Sequence, residues 1–477
     1  MKIILLGAGQ VGSSVAESLI SEENDITMVD CDGACLAALQ DRLDLRTVVG
    51  NAAYPSVLKS AGAEDADLII ALTQSDQTNL VACKIAKSLF NTPTRVARLR
   101  SRDFLEDERL LAPENFAVDF TLCPEQTVTD YIKRLVEFPE ALQVLDFAGG
   151  RVSLIGVRAY EGGFLVSRPI KELRHHLPLG IDARVVAIFR HEKPIIPGGE
   201  VCIQPGDEVF VLAAAEHIRQ VLREIRRHAN PVRRIMIAGG GNIGLKVAAA
   251  LEEHYEVKVL EANKNRAETI AGLLKDSLVL CGSATDEALL EQENVAEMDL
   301  FLALTNADED NIMTASLAKR MGCERVVALI NRGTYADMMQ GGPIDIGISP
   351  AHISIGELLA RVRKGDVAAV HSLRRGAAEA LEMVAHGEKS NSRVVGRKVG
   401  EIDWPPGVTV AAMVRDFEHV TPIEIRDDGT VDRRLGRVEI AHPDSVIQSG
   451  DHVIIFCAKR KLVKKVEQIF QVGLHFF

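Results

Sequence analysis

Hydrophobic and polar positions along this chain fall into two textures. One is a series of short apolar runs bounded by turn residues: KIILL from Lys2, DITMVD from Asp25, DLRTVV from Asp44, DLIIALT from Asp67, RVARLR from Arg95 and FAVDF from Phe116. Between them lie longer stretches, such as NLVACKIAKSLF from Asn79, in which apolar residues recur at helical spacing. Runs without a polar face are strands buried on both sides, and strands alternating with helices make a parallel sheet covered by helices on each face. The pattern predicts a doubly wound α/β domain over residues 1–140.

The series then returns. RIMIA, YEVKVLE, SLVL, DLFLALT, RVVALI and IDIGIS repeat the strands, and NIMTASLAKRM from Asn311 repeats the helix. The repeat keeps a constant shift of 232 positions, pairing Gly7 with Gly239, Gly50 with Gly282, Thr73 with Thr305, Asp76 with Asp308 and Asn79 with Asn311. A second Rossmann-like domain is expected over 232–365. Each doubly wound domain is followed by a smaller, strand-rich segment, expected as small α+β domains over 141–228 and 366–470. ARVVAIFR in the first matches VTVAAMVR in the second, and QPGDEVFVLA matches QSGDHVIIFC, each with a Gly-Asp turn before a buried strand. Each leads into an amphipathic helix, EHIRQVLREI or KLVKKVEQIF. The second copy carries a polar excess of 19 residues around HVTPIEIRDDGTVDRRLG, expected as a surface loop, and HANP at His228–Pro231 is expected to link the halves.

Composition narrows the function classes. A formal charge of −12 and a pI near 5.6 argue against a nucleic-acid partner. No run reaches the roughly 18 apolar residues of a membrane span. MKIILLGAG enters its first strand at once, leaving no room for a secretory leader, and the eight cysteines contain no CxxC pair, so reduced thiols in a soluble cytoplasmic protein are expected.

The chemistry lies in the turns after the first strand of each half: GAGQVG at Gly7, Ala8, Gly9, Gln10, Val11 and Gly12, and GGGNIG at Gly239, Gly240, Gly241, Asn242, Ile243 and Gly244. In a strand–GxGxxG–helix unit the first glycine allows the tight turn, the second lets the backbone approach a pyrophosphate, and the third lets helix pack on strand. Free N–H groups at the helix start then face the phosphates. Asp30 and Glu261 end the second strands, where a carboxylate accepts the ribose hydroxyls and repels a 2′-phosphate. This favours NAD over NADP without separating NAD from ATP or ADP. Asn51 and Ser283 follow the third strands, near an adenine edge. The octets LTQSDQTN and LTNADEDN place Thr73, Asp76 and Asn79, with Thr305, Asp308 and Asn311, either on ligand or on the cap of the next helix. A carboxylate such as Asp76 close to the nicotinamide would discriminate NAD⁺ from NADH. Arg98 reaches the same edge, whereas its counterpart in VVALIN is uncharged, Ala328 or Leu329, so the two sites are chemically unequal. No HExxH, GxSxG or paired-carboxylate arrangement accompanies these turns, and His175 and His176 sit in a charged stretch, so no catalytic residue is assigned. The alternative is an NAD-dependent oxidoreductase whose substrate site the sequence does not reveal.

The duplicated turns with Asp30, the LTxxDxxN octets and the QPGDEVFVLA segments resemble the regulator of K⁺ conductance (RCK) modules over essentially the whole chain. The resemblance implies a nucleotide-sensing regulatory subunit that binds NAD or NADH, with ATP or ADP as alternatives, and gates a membrane K⁺-translocating partner. Such a protein sits on the inner face of the cell membrane and self-associates into a ring, as a dimer or tetramer. Carried onto this sequence, Gly7 to Val11, Asp30, Thr73, Gln74 and Arg98 form site one, and Gly239 to Ile243, Glu261, Thr305 and Asn306 form site two. Some single-module relatives place a metal-binding Glu in a Pro-Glu pair after the sixth strand. Pro124 and Glu125 match it, but Pro350 is followed by Ala351, and no metal is expected.

Overall fold

A computed structural model of the chain describes residues 1–20, 22, 24–191, 193–195, 197–225, 230–332, 335, 342, 344–363, 366–374, 377–417 and 436–472. The chain opens with β1 (Lys2–Leu6), β2 (Asp25–Asp30), β3 (Arg46–Val49), β4 (Leu68–Ala71), β5 (Thr94–Arg98) and β6 (Phe120–Leu122). All neighbours in this sheet are parallel, in the order β3-β2-β1-β4-β5-β6. Every residue of β4 is buried, as a strand covered by helices on both faces requires. Because the chain runs outward from β1 in one direction and then from β4 in the other, their carboxyl ends splay the following loops apart and leave a crevice.

Next comes an antiparallel sheet of β7 (Ala141–Phe147), β8 (Val152–Arg158), β9 (Ala183–Arg190), β10 (Lys193–Ile195) and β11 (Glu208–Ala214), ordered β10-β9-β11-β8-β7. A second parallel sheet follows, of β12 (Arg234–Ala238), β13 (Glu256–Glu261), β14 (Leu278–Cys281), β15 (Leu300–Ala303), β16 (Arg325–Leu329) and β17 (Ile346–Ile348). Its order, β14-β13-β12-β15-β16-β17, copies the first. The last sheet holds β18 (Val367–Leu373), β19 (Ala378–Val384), β20 (Val408–Arg415), β21 (Arg437–Ile440) and β22 (His452–Cys457). Read backwards, its order β18-β19-β22-β20-β21 has the topology of the first antiparallel sheet.

Like associates with like. One compact unit comprises Met1–Asp130 with Arg233–Ile355, and the other Tyr131–Val232 with Gly356–Phe477. The division falls inside the helices Pro124–Glu137 and Pro350–Val362, rather than at 140/141 and 365/366 where the apolar pattern changes.

In the first unit each sheet has its own core, with Ile4, Leu58, Ile69 and Leu80 in the first half and Met236, Leu290, Phe301 and Val326 in the second. In the second unit a single core joins both antiparallel sheets: Phe147, Leu154, Phe189 and Phe210 pack with Leu373, Val414, Ile454 and Phe456. Gln143 Nε2 donates to the Ser372 carbonyl at 2.8 Å, and the Ala148 amide donates to Glu382 at 2.8 Å. Glu382 is 4% exposed, and its other oxygen lies 2.5 Å from His452 Nδ1, so the buried carboxylate has a partner on each side.

The apolar run FAVDF does not form the sixth strand, which begins only at its last residue. Ala117 takes a positive φ of 56°, and the Phe116 and Ala117 amides close a turn onto the Leu110 and Ala112 carbonyls, so this run packs a loop against the sheet. Half of HANP, His228 and Ala229, and nearly all of the polar excess lie outside the described residues. Among the described residues no helix is long and apolar enough to cross a membrane.

Candidate nucleotide-binding site

The glycines act through three different constraints. Gly7 sits at φ +109°, and a Cβ there would come within 3.0 Å of the Leu72 and Thr73 backbone, so β1 and β4 can lie side by side only if this position is bare. At Gly12 a Cβ would fall 1.9 Å from the Gly7 carbonyl oxygen, which fixes how closely the helix Gln10–Ile20 abuts the turn. A Cβ on Gly9 meets nothing within 4 Å; the backbone there faces open space. Gly239, Gly244 and Gly241 reproduce all three conditions, with φ +106°, a 1.9 Å approach and no neighbour.

Both second-strand acids brace their turns. Asp30 accepts the Ala8 amide at 2.6 Å and the Asp32 amide at 2.9 Å; Glu261 accepts the Gly240 and Asn263 amides, each at 2.8 Å. Each carboxylate oxygen keeps a lone pair for a ribose hydroxyl.

The octets resolve toward structure. Asn79 Oδ1 accepts the Thr73 amide at 3.0 Å and the Thr73 hydroxyl at 2.7 Å, while its Nδ2 donates to the Arg98 carbonyl at 2.9 Å. Asp76 accepts the Arg100 and Ser101 amides, both at 2.9 Å. Asn311 and Asp308 repeat these bonds to Thr305, Leu329, Asn331 and Arg332. The four side chains therefore tie the ends of neighbouring strands together. Asp76, committed to two amides and 8% exposed, does not line the nucleotide cavity, which removes it as the sensor of nicotinamide charge.

Above the first turn opens a cavity of 880 Å³, within the size range of ligand pockets. Most of the first-half candidates line it: the turn from Gly7 to Gly12, then Asp30, Asn51, Thr73, Gln74 and Arg98, but not Asp76 or Asn79. Gly241, Asn242, Ile243 and Asn306 of the second half line the same cavity, so the second turn closes over the first half's site and the two cradles are not separate there. Gly239, Gly240, Gly244, Glu261, Ser283 and Thr305 do not line it. The Ser283 hydroxyl is 2.7 Å from that of Thr285.

Lining residues that the sequence pattern did not single out include Arg100, Arg266 and Asn331. Arg100 stands two residues beyond Arg98, a period-2 spacing that the strand pattern could have signalled. Arg266, in the helix Lys264–Ala271, donates through Nε to the Gly240 carbonyl at 2.8 Å and brings a guanidinium to the cavity from the second half. Asn331 follows β16. The halves remain unequal, but the second does contribute a cation.

The residues fit an adenosine nucleotide. Gly9 presents bare backbone to the cavity at a helix start, while Arg98 Nε and Arg100 Nε are buried without hydrogen-bond partners, ready for an anion.

Known proteins carry similar sequences. The TrkA-N domain model matches residues 3–112 and 235–350, and the TrkA-C domain model matches 154–226. Similar relatives include the Trk system potassium uptake protein TrkA of Halomonas elongata, 50% identical over all of both chains, and that of Vibrio alginolyticus, 50% identical over 99% of each. Among solved structures, the GsuK RCK domain superposes with a TM-score of 0.60 at 17% identity, covering 98% of this chain and 94% of that one. The GsuK channel bound to NAD gives 0.59 at 17%, covering 98% and 78%. At that identity these structures establish the shared fold.

Proposed function

Since the chain belongs to the TrkA family of Trk potassium uptake proteins, and is thereby a non-enzymatic regulatory subunit of a K⁺ uptake system, we propose that it senses adenosine nucleotides and gates the membrane K⁺-translocating subunit of the Trk type. NAD or NADH is the principal ligand and ATP or ADP the alternative. The observation that carries this reading is the shared cavity, in which a phosphate cradle, a ribose-facing carboxylate and arginines meet. One GsuK structure of the same fold is described as bound to NAD, which supports the choice of ligand.

In this reading the phosphates lie on the Gly9–Val11 backbone, Asp30 takes the ribose hydroxyls, and Arg98 and Arg100 offset the phosphate charge. Because Asn242 and Arg266 line the same cavity, an occupant touches both halves of the first unit and favours one angle between them. A ligand biases a gate only by its affinity difference between two shapes, and a tenfold bias needs about 1.4 kcal/mol. One hydrogen bond to a charged group, worth about 1.5–3 kcal/mol, is enough if made in one shape alone. The protein works on the cytoplasmic face of the membrane, and two chains, carrying four modules, close a ring economically.

Equilibrium dialysis of the full chain against NADH, NAD⁺, ATP and ADP tests the reading and counts nucleotides per chain. Saturable binding of at least one of the four supports it; no binding of any at millimolar concentration overturns it.

A further inference from the structure

Arg98 ends β5, Arg100 lies two residues beyond, and both reach Glu125, the second residue of the helix Pro124–Glu137. Arg98 Nη2 donates to Glu125 Oε1 at 2.8 Å, and Arg100 Nε stands 3.5 Å from the same oxygen. The Arg98 and Glu125 side chains are 12% and 9% exposed, and all three residues line the nucleotide cavity. The cluster is incomplete as it stands: Arg98 Nε, Arg100 Nε and Glu125 Oε2 are buried with no hydrogen-bond partner. Each buried donor or acceptor left without a partner is costly, and here three such atoms face one cavity. Two guanidinium groups on one carboxylate also leave surplus positive charge facing a cavity. Together these are the features of a phosphate subsite already holding an internal anion.

The second half shows the cluster to be one device. Strand register places Leu329 where Arg98 stands, since Ala97 pairs with Ala71 as Ala328 pairs with Ala303. Asn331 takes the place of Arg100, its amide donating to Asp308 as that of Arg100 does to Asp76. The helix Pro350–Val362 opens on Pro350 and Ala351 where the first opens on Pro124 and Glu125. All three charges are replaced together, so none is left buried without its counterpart.

Resting on the nucleotide reading above, the geometry points to Glu125 as a stand-in for a ligand phosphate and as a tether that the ligand releases. A phosphate group takes the two guanidinium groups, the carboxylate is displaced, and the first turn of the helix Pro124–Glu137 loses its tie to β5. A neighbouring cavity of 490 Å³, lined by Glu125, Arg100, Ser101 and Lys246, offers the displaced carboxylate a cationic partner in Lys246. The helix carries the chain from one compact unit into the other, the division falling between Asp130 and Tyr131, so the tether reports occupancy to the segment leading into the small domains. The second half lacks such a reporter.

Calorimetry with ADP and AMP on the full chain, combined with amide hydrogen exchange over residues 124–130, tests this. Glu125→Gln keeps the shape and removes the competing charge. It should bind ADP about tenfold more tightly than wild type, with a smaller gain for AMP. In wild type ADP should speed exchange at 124–130; in Glu125→Gln that segment should exchange fast without ligand and respond no further. Equal or weaker ADP binding by Glu125→Gln overturns the tether. So does a wild-type chain that binds ADP without faster exchange at 124–130, a measurement that stands even if the variant does not fold. A wild-type chain that binds neither nucleotide overturns the underlying nucleotide reading for them, and the tether with it.

Discussion

Replacing Gly9 by alanine separates ligand recognition from folding. A Cβ at this position meets nothing within 4 Å, and Gly9 is not held at a left-handed φ, so the folded chain accepts the methyl without rearrangement. Alanine also loses less backbone entropy on folding, which stabilises a compatible site by about 0.4–1 kcal/mol. The methyl does, however, occupy the approach of a pyrophosphate to the turn. Losing one hydrogen bond between amide and phosphate costs about 1.5–3 kcal/mol, which weakens binding roughly 10- to 100-fold. Gly12→Ala is the contrasting control: its Cβ would lie 1.9 Å from the Gly7 oxygen, so the helix must move, at about 1–3 kcal/mol of stability or more. The assay is calorimetric titration with NADH and thermal unfolding on the same preparations. Gly9→Ala should melt at or slightly above wild type while binding weakens by that factor; Gly12→Ala should melt lower. A Gly9→Ala protein that binds NADH as wild type does, or melts well below it, refutes the reasoning.

Arg266→Ala removes the guanidinium that the second half brings to the cavity and should weaken nucleotide binding several-fold, up to roughly tenfold, with little change in melting; unchanged affinity would remove Arg266 from the site. The matched turn aspartates should respond to pH in opposite senses, as melting of Asp207→Asn and Asp451→Asn across acidic pH would reveal. Burial alone would raise the Asp207 carboxyl, but hydrogen bonds from Arg190, both 2.8 Å, and from the Gln204 amide hold it below the ordinary Asp value. Its stabilisation is therefore present above that value and lost as pH falls through the lower folded one. Burial raises Asp451 beyond what the Gln448 amide and Arg415 at 3.7 Å offset, so its contribution is present at low pH and lost as pH rises through the raised value. Cys31 and Cys35 are exposed and line the cavity, so bound nucleotide should slow their alkylation. Buried Cys83 and Cys457, each pushed up to about 12 by burial, should stay unlabelled with or without ligand.

What could be read along the chain depended on how local its cause was. The strands of the two parallel sheets were readable because burial on two faces leaves no polar position, as in β4, and the glycine turns because strand, glycine spacing and helix follow one another in one short stretch of chain. FAVDF misled because a loop packed on a sheet is as apolar as a strand, and only the positive φ at Ala117 separates them. Thr73 was placed on ligand, and Asp76 and Asn79 were left between ligand and cap; the partners of the latter two, the Arg98 carbonyl and the Arg100 and Ser101 amides, lie at and just beyond the end of β5, outside local pattern. Arg266 was unreadable for the same reason, since its place at the cavity depends on how its helix packs over the second turn. The joining of the two small domains through one core follows from which sheet faces are apolar, and the repeat revealed their likeness but not their partner.

The central claim, that nucleotide occupancy of the shared cavity governs potassium uptake, is tested most directly by K⁺ uptake in cells lacking this protein, complemented by wild type or by Gly9→Ala at equal abundance. Wild type should restore regulated uptake, and the folded Gly9→Ala protein, with its weakened nucleotide binding, should not. Full, normally regulated uptake with a Gly9→Ala chain shown to bind nucleotide more weakly would contradict the account.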